Sequence, residues 1–244
     1  ALDTGISQLK AQLLINRGIR DKDSALSFLN PAMRQLLDPF LLKDMDRAVE
    51  TIIYSIENRE NIAVYGDYDA DGITATALLL NLFSHMNINA FPYIPERFKE
   101  GYGLNREAVK ILSEKGARLI ITVDCGIANK NEIEYAMDLG MKVVVTDHHQ
   151  IPKDFSPICP VINPHRPDSS FPFKALAGVG VAFFLAVAIR SALRDKNRFI
   201  NMPEPDLRQY LDLAAIGTVG DMVSLTGQNR IIALHGIEAM KKSI

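Results

Sequence analysis

After Asn61 the sequence alternates short runs of β-favouring apolar residues with segments of helical periodicity. Two of these runs, residues 119–123 and 143–146, are apolar at almost every position instead of every second one. Strands have this pattern when both faces of their sheet are buried, as in parallel sheets covered by helices on both sides. The pattern therefore predicts an α/β fold with a mostly parallel sheet flanked by helices on both faces. We expect strands over residues 62–65, 90–94, 119–123, 143–146 and 158–162.

The segments around this core are predicted to be helical. Residues 1–60 place apolar side chains three or four apart, which predicts a helical N-terminal extension packed on a main domain of residues 61–225. Residues 175–194 are apolar and rich in small residues, which favours a long buried helix. Residues 207–219 predict another helix, after a loop with two prolines.

Composition limits the class of protein. The chain has 244 residues, of which 48% are hydrophobic, enough to form a buried core. No apolar run approaches the roughly 20 residues that span a bilayer, and the N-terminus lacks a basic segment followed by an apolar one. We therefore expect a cytoplasmic protein without a membrane anchor. The two cysteines, Cys125 and Cys159, form neither a disulfide framework nor a zinc-type pair.

Three of the predicted strands end in acidic residues. The first leads into the sequence GDYDADG at residues 66–72, the second into Asp124, and the third into Asp147-His148-His149. Ligands bind beyond the carboxyl ends of parallel strands, so these side chains are expected to meet in one crevice. So many like charges do not stay ionised side by side without cations, and oxygen with imidazole ligands suits manganese or magnesium. The sequence therefore predicts a metal site.

Each group has a simpler explanation when taken alone. An aspartate ahead of a helix often caps it, Asp124 at a strand end is as often structural as functional, and two adjacent histidines in a loop are often only solvated. Three alternating aspartates followed by Gly72 exceed what capping requires. It is the combination of the three strand ends that favours ligands.

These motifs resemble those of the DHH phosphoesterase superfamily, named for the triad Asp147-His148-His149. The resemblance runs through essentially the whole chain and points to the branch of single-strand-specific 5′→3′ DNA exonucleases. The motifs that carry it, in order, are GDYDADG (66–72), VDCGI (123–127), the triad, LAGVGVAF (176–183) and GTVGDM (217–222). The sequence IPERFKEGYG (94–103) and the N-terminal helices also resemble this branch more than the smaller members.

The resemblance implies two divalent cations, Mn²⁺ or Mg²⁺, that hydrolyse a phosphodiester together. The residues implied for the first cation are Asp71, Asp124, His148 and Asp221. The second would be held by Asp69 and by Asp124, which bridges the two.

Two further residues follow from the same resemblance. Some members have a histidine where this chain has Tyr65, which makes Asp67 an additional candidate ligand of the second cation. His149 is expected to contact the scissile phosphate or to orient a ligand. Asp221 enters only through the resemblance, because a lone aspartate after a helix is usually a cap.

The net charge of −2 argues against a polyanionic substrate, because nucleic-acid-binding proteins usually have a basic surface. Much of the acidity, however, belongs to the predicted crevice, where bound cations would neutralise it. Basic residues outnumber acidic ones once six aspartates are set aside. These are Asp67, Asp69, Asp71, Asp124, Asp147 and Asp221.

Substrate contacts are predicted in the segment after the second strand. Arg97 is the candidate phosphate contact, with Lys99 and Arg106 as further basic residues, although solvated loop charges have the same appearance. Tyr102 is the candidate base contact. Phe98 and Phe171 are further aromatic candidates, and local packing is the alternative for all three.

The glycines at 178 and 180 lack the strand and the acidic residue that a dinucleotide-binding loop requires. Two interpretations stay open. The glycines either bring a helix N-terminus close to a phosphate or to the metal crevice, or they allow close helix packing.

Three functions are compared on this basis. The first is a metal-dependent exonuclease that releases nucleotides from the 5′ end of single-stranded DNA, with a role in DNA repair and recombination. The second is a small-substrate hydrolase of the same superfamily, acting on oligoribonucleotides, cyclic dinucleotides, nucleotide bisphosphates or pyrophosphate. The third is a DNA-binding scaffold without metals. The complete carboxylate and histidine set argues against the third, since unneeded like charges in a crevice cost stability.

The resemblance also implies the wider organisation. Residues 61–225 are expected to form the DHH catalytic domain, and residues 226–244 the start of a helix that connects it to a second domain, so the chain is expected to be a fragment. Single-stranded DNA is the predicted partner. Single-strand-binding protein or a helicase are expected partners of a full-length, monomeric protein.

Overall fold

The computed structural model describes residues 5–243, so the first four residues of the predicted extension and Ile244 lie outside the described residues. The α helices within that range are α1 (Gln8–Asn16), α2 (Lys22–Leu29), α3 (Met45–Glu57), α4 (Ala70–His85), α5 (Arg106–Glu114), α6 (Lys130–Asp138), α7 (Gly178–Asp195), α8 (Leu211–Gly220) and α9 (Gly227–Ser243). The strands are β1 (Asn61–Gly66), β2 (Ala90–Tyr93), β3 (Ala117–Val123), β4 (Lys142–Thr146) and β5 (Val161–Ile162).

The five strands form one parallel sheet in the order β2-β1-β3-β4-β5. The prediction of a mostly parallel sheet is therefore confirmed, and all five predicted strands are present. The fifth is shorter than expected, because residues 158–160 stay outside the sheet and Pro160 has no N–H to donate to a ladder. The carboxyl ends of β1, β3 and β4 are neighbours at one edge. That edge carries the three acidic strand ends.

Each strand contributes to two separate cores, one on each face of the sheet. In β1, Ile62 and Val64 pack on the face covered by α3, α4 and α7, whereas Ala63 and Tyr65 pack on the face covered by α5 and α6. This division explains the continuous apolar runs, because alternate side chains are buried on opposite sides. Helices on both faces were predicted and are confirmed.

The long buried helix predicted over residues 175–194 is α7, which begins at Gly178. Twelve of its 18 residues are buried, since it packs against the sheet and against α3, α4 and α8. Among residues 5–243, no helix has the length and apolar character needed to cross a membrane.

The N-terminal extension packs against the start of α9. The Arg230 guanidinium lies 3.8 Å from the centre of the Phe28 ring, and its Nε donates a 2.6 Å hydrogen bond to the Phe28 carbonyl. The backbone N–H of Leu37 donates to Gln228 Oε1 at 2.9 Å. The division into extension, catalytic domain and connecting helix stays a prediction.

A buried ion pair connects the start of α3 to the far edge of the sheet. Arg166 Nη1 donates to Asp44 Oδ2 at 2.6 Å and to the Val161 carbonyl at 2.9 Å, and both charged side chains are buried. Asp44 precedes α3 in the left-handed conformation, with φ of 65°. The second carboxylate partner of Arg166, Asp168, is half exposed.

Substitution of the buried partner is predicted to destabilise the fold. Asp44→Asn keeps the side-chain shape and tolerates the left-handed backbone, but it removes the buried counter-charge of Arg166 and leaves only the half-exposed Asp168. We expect a loss of about 2 kcal/mol in the free energy of unfolding, measured by urea denaturation. The matched control is Asp168→Asn, which removes the half-exposed partner of the same arginine and should cost less than about 1 kcal/mol. Equal losses from the two variants would contradict this account.

Candidate metal centre

The loop after β1 is folded tightly enough to require glycine. A Cβ atom on Gly72 would lie 2.5 Å from the Asp67 carbonyl oxygen, and one on Gly66 would lie 2.0 Å from Thr76 Oγ1. Asp69 caps α4, because its Oδ1 accepts hydrogen bonds from the N–H groups of residues 71 and 72 at 2.8 and 3.0 Å. Capping therefore accounts for one of the three aspartates in this loop.

Asp71 is held from the opposite side by the first turn of α7. The Gly178 N–H donates to Asp71 Oδ2 at 2.6 Å, and the Val179 N–H donates to Asp71 Oδ1 at 2.8 Å. A carboxylate is favoured at the positive end of a helix. A Cβ atom on Gly178 would lie 2.6 Å from Asp124 Oδ1. The glycine at 178 thus brings the helix N-terminus up to the metal crevice, the first of the two interpretations left open.

Asp124 follows β3 in the left-handed conformation, with φ of 61°, which is uncommon for a residue other than glycine. The turn over residues 122–125 is closed by Thr122 Oγ1, which donates to the Cys125 carbonyl at 2.8 Å. The carboxylate is buried, and its Oδ1 lies 3.1 Å from His148 Nε2 without the alignment of a hydrogen bond. The two groups thus lie within ion-pair distance without being aligned as a hydrogen bond.

Asp147 organises the histidines and lies outside the ligand groups. Its Oδ1 accepts hydrogen bonds from the backbone N–H of His148 at 2.7 Å, the backbone N–H of His149 at 3.0 Å and His149 Nδ1 at 2.8 Å, while Oδ2 accepts from the Ile127 N–H at 2.9 Å. Complete burial would raise the pKa of Asp147, but these bonds outweigh it and hold the pKa below its usual value. Asp147 is absent from the three groups of potential ligands described next, and its place among the metal-site aspartates stays a prediction.

Three groups of potential ligands converge at the sheet edge, each with its atoms within 4.8 Å of one another. The groups are Asp71 with His148 and Asp221, Asp124 with His148 and His149, and Asp67 with Asp69 and Asp124. His148 and Asp124 each belong to two groups, so the three form a chain. Within it, His148 Nε2 lies 3.8 Å from Asp71 Oδ2 and 3.7 Å from Asp221 Oδ2.

Several ligand atoms of these groups are buried without a hydrogen-bond partner. They are Asp67 Oδ1, Asp124 Oδ1, His148 Nε2 and Asp221 Oδ2. A buried polar atom without a partner is costly, and four at one place indicate that something polar belongs between them. Carboxylate oxygens with an imidazole nitrogen suit a hard divalent cation. The residues present therefore fit the metal that the motifs predict.

The pKa values of the ligand groups also indicate that the centre needs positive charge. Burial raises the pKa values of Asp71 and Asp124, and neighbouring carboxylates raise them further. Burial opposes protonation of His148, but the nearby carboxylates, Asp124 first, outweigh it and raise the pKa of His148 to about 9. Protons and cations therefore compete for the same ligand atoms.

Asp221 ends α8 and reaches the centre because α8 packs very closely on α4. A Cβ atom on Gly217 would lie 2.3 Å from Thr74 Oγ1, and one on Gly220 would lie 2.9 Å from Ala70 Cβ. Reasoning from the residues alone missed Asp221. The signal available was this glycine pair in an apolar helix, which indicates close packing against a neighbour.

Tyr65, at the position where some superfamily members have a histidine, is directed elsewhere. Its hydroxyl donates to the Gly103 carbonyl at 2.8 Å, and its ring stacks on Tyr93 with centres 5.3 Å apart. Asp67 lies with Asp69 and Asp124 in one of the three groups. The assignment of individual ligands to each cation stays a prediction.

The predicted substrate contacts differ in their surroundings. The Arg97 guanidinium lies 5.0 Å from the centre of the Tyr68 ring. Tyr68 lies between Asp67 and Asp69 in the acidic loop, the loop that follows β1. The Tyr102 hydroxyl lies 3.1 Å from His149 Nδ1 and donates to the Asp124 carbonyl at 3.2 Å. Both therefore border the centre.

Three of the remaining candidates, Arg106, Lys99 and Phe171, are engaged away from it. The Arg106 guanidinium packs over the ring of Tyr135 in α6, and Lys99 pairs with Glu96 at 2.7 Å. Phe171 is buried against Phe184, with ring centres 5.3 Å apart, so it is a packing residue and its candidacy as a base contact is wrong.

Fold and site together define a parallel α/β protein with a carboxylate–histidine cluster suited to divalent cations. Residues 61–218 match the family described as DHH family, N-terminal domain. The chain therefore belongs to the DHH family, and the resemblance recognised from the motifs is confirmed.

Similar proteins of known name support this family assignment. The chain is 42% identical to the single-stranded-DNA-specific exonuclease RecJ of Bacillus subtilis, over 98% of this chain and 29% of that protein. A crystal structure of exonuclease RecJ bound to manganese matches with a TM-score of 0.73 and 35% identity, over 86% of this chain and 50% of that chain. RecJ from Thermus thermophilus in complex with Mn²⁺ matches with a TM-score of 0.74 and 33% identity, over 94% of this chain and 31% of that chain. The chain thus spans less than half the length of the curated relatives it matches.

Gly178→Ala is predicted to impair cation binding. The new methyl group would lie 2.6 to 2.8 Å from the side-chain atoms of Asp124, so the carboxylate must shift. We expect at least about a tenfold weaker affinity for Mn²⁺, measured by isothermal titration calorimetry, because a shifted ligand loses its geometry. Gly180→Ala, in the same helix, is the control. The nearest atom to its methyl group would be Leu176 Cδ2 at 3.2 Å, the end of a flexible side chain, so unchanged affinity is expected for this variant. Normal Mn²⁺ binding by Gly178→Ala would contradict the geometry described.

Proposed function

We propose that this chain contains the metal-dependent catalytic site of a single-strand-specific DNA exonuclease that releases nucleotides from the 5′ end. The observation that carries the proposal is the chain of three ligand groups that share Asp124 and His148 at the carboxyl edge of the sheet. The names of the similar proteins support the same substrate and the same metals. A cytoplasmic location and a role in DNA repair and recombination belong to this proposal. So do a single-strand-binding protein or a helicase as partners, and a monomeric full-length protein.

The ligand assignment follows the predicted pattern. Asp71, Asp124, His148 and Asp221 would hold one divalent cation, and Asp69 and Asp124, with Asp67, the second. When bound, two such cations activate water and stabilise the charge that develops at phosphorus. The protein itself supplies rigid positions for these ligands, through the α7 hydrogen bonds to Asp71 and the left-handed turn at Asp124.

His149 is proposed to contact the scissile phosphate. Its Nδ1 is bonded to Asp147, which orients the ring and leaves Nε2 for a phosphate oxygen. The Asp147 bond also raises the pKa of His149, which favours the protonated ring as a hydrogen-bond donor to phosphate. Tyr102 supports the same ring from the other side, 3.1 Å from Nδ1. Arg97, whose guanidinium lies over the ring of Tyr68, would bind a neighbouring phosphate.

The direct test is hydrolysis of end-labelled DNA by the purified chain with Mn²⁺. We expect mononucleotides to be released from the 5′ end of a single strand, no release from the same strand in a duplex, and complete loss of activity with chelator. Parallel reactions with a diribonucleotide, a cyclic dinucleotide, a nucleotide bisphosphate and pyrophosphate test the small-substrate alternative. Preferred hydrolysis of any of these over the single strand would overturn the proposed substrate class.

Asp124→Asn is predicted to abolish this activity. Asparagine tolerates the left-handed backbone but removes the charge shared by both cations. The rate should fall at least about 10³-fold, because several kcal/mol of transition-state stabilisation depend on the cations. Asp67→Asn should have a milder effect, and Asp154→Asn, in an exposed loop, serves as the control with no effect. Equal losses from Asp67→Asn and Asp124→Asn would require a new assignment of the second cation's ligands.

A further inference from the structure

The segment between β2 and α5, residues 94–105, borders the metal centre and carries an exposed aromatic ring. Phe98 is 95% exposed, the highest value for a large apolar side chain in the described part of the chain. A single exposed apolar residue is ordinary on a protein surface. The significance of this one depends on how its loop is held and where the loop lies.

The loop is fixed by a dense set of hydrogen bonds around Glu100. This carboxylate accepts from the Tyr93 hydroxyl at 2.8 Å, from the Glu96 N–H at 2.8 Å and from Asn105 Nδ2 at 3.2 Å. The Tyr65 hydroxyl donates to the Gly103 carbonyl at 2.8 Å. The ring of Phe98 is thus presented to solvent by a loop that is tied on both sides of it.

The same loop contacts the metal centre on both sides of Phe98. Before it, Arg97 lies over the ring of Tyr68, the residue between Asp67 and Asp69 in the acidic loop. After it, Tyr102 contacts His149 and the Asp124 carbonyl. The loop therefore borders the place where the phosphodiester is proposed to bind.

We propose that Phe98 is the stacking surface for a nucleobase next to the phosphodiester at the metal centre. This inference rests on the proposed function and specifies its substrate. A planar apolar ring next in sequence to Arg97, whose guanidinium borders the centre, suits a nucleotide unit, because the base can stack on the ring while a phosphate meets the guanidinium. Bases that are already stacked in a duplex are not available to it, and pyrophosphate has none. Phe98 would thus favour single strands that carry bases.

The absence of tryptophan from the sequence permits a spectroscopic test. Phe98→Trp introduces a single tryptophan at the proposed stacking position, and stacking on a base quenches its emission. The probes are a hydrolysis-resistant phosphorothioate oligothymidylate and an abasic phosphorothioate oligomer of the same length, both with Mn²⁺. We expect quenching by the thymidine oligomer and none by the abasic one at saturation.

The control variant is Ile200→Trp. Ile200 is 74% exposed and follows the C-terminal end of α7. The N-terminus of α7 lies at the metal centre, and the helix is about 27 Å long. Neither oligomer should quench its emission. Equal quenching of Phe98→Trp by the abasic oligomer would indicate proximity of phosphates without stacking and would overturn the proposal.

Affinity provides an independent readout, by fluorescence anisotropy of the labelled oligomers. The preference for the thymidine oligomer over the abasic one should fall about tenfold in Phe98→Ala and be retained in Phe98→Tyr. An unchanged preference in Phe98→Ala would overturn the proposal. In that case, wild-type hydrolysis of single-stranded DNA would leave the proposed function intact. Failure of the wild type to bind or hydrolyse the single strand would overturn both.

Discussion

Mutual repulsion among buried carboxylates is the constraint on which the rest of this structure depends. A parallel sheet delivers the ends of β1, β3 and β4 to one edge, and each end carries acid. No lysine or arginine forms an ion pair with Asp67, Asp69, Asp71, Asp124 or Asp221 within residues 5–243. The raised pKa values of Asp71 and Asp124 allow protons to relieve part of the repulsion, and divalent cations would relieve it fully.

The surrounding fold holds these charges in place by backbone groups, which do not neutralise them. The first turn of α7 donates two N–H groups to Asp71, and glycine at 178 lets that helix approach Asp124. Asp147 accepts four hydrogen bonds and so fixes both histidines without joining the ligand groups. The long apolar helix and the close α4–α8 packing therefore serve the geometry of the centre as well as the core.

The sheet and most of the site could be predicted from the sequence, because continuous apolar runs specify buried parallel strands and strand ends specify the crevice. The sequence does not show that Asp147 orients His149, because an aspartate that binds a metal and one that orients a histidine look the same in the motif. Asp221 could not be found from local pattern, since its place depends on helix packing between segments about 150 residues apart. The pairing of Asp71 with residue 178 is likewise a long-range contact that no local spacing reveals.

The central claim is that the converging groups form one centre for two cations that share Asp124. Electron paramagnetic resonance during titration of the purified chain with Mn²⁺ tests it most directly, because two ions bridged by one carboxylate are exchange-coupled. The account predicts saturation at two ions per chain with the spectrum of a coupled pair. Saturation at one ion, or two ions with independent spectra, would contradict it.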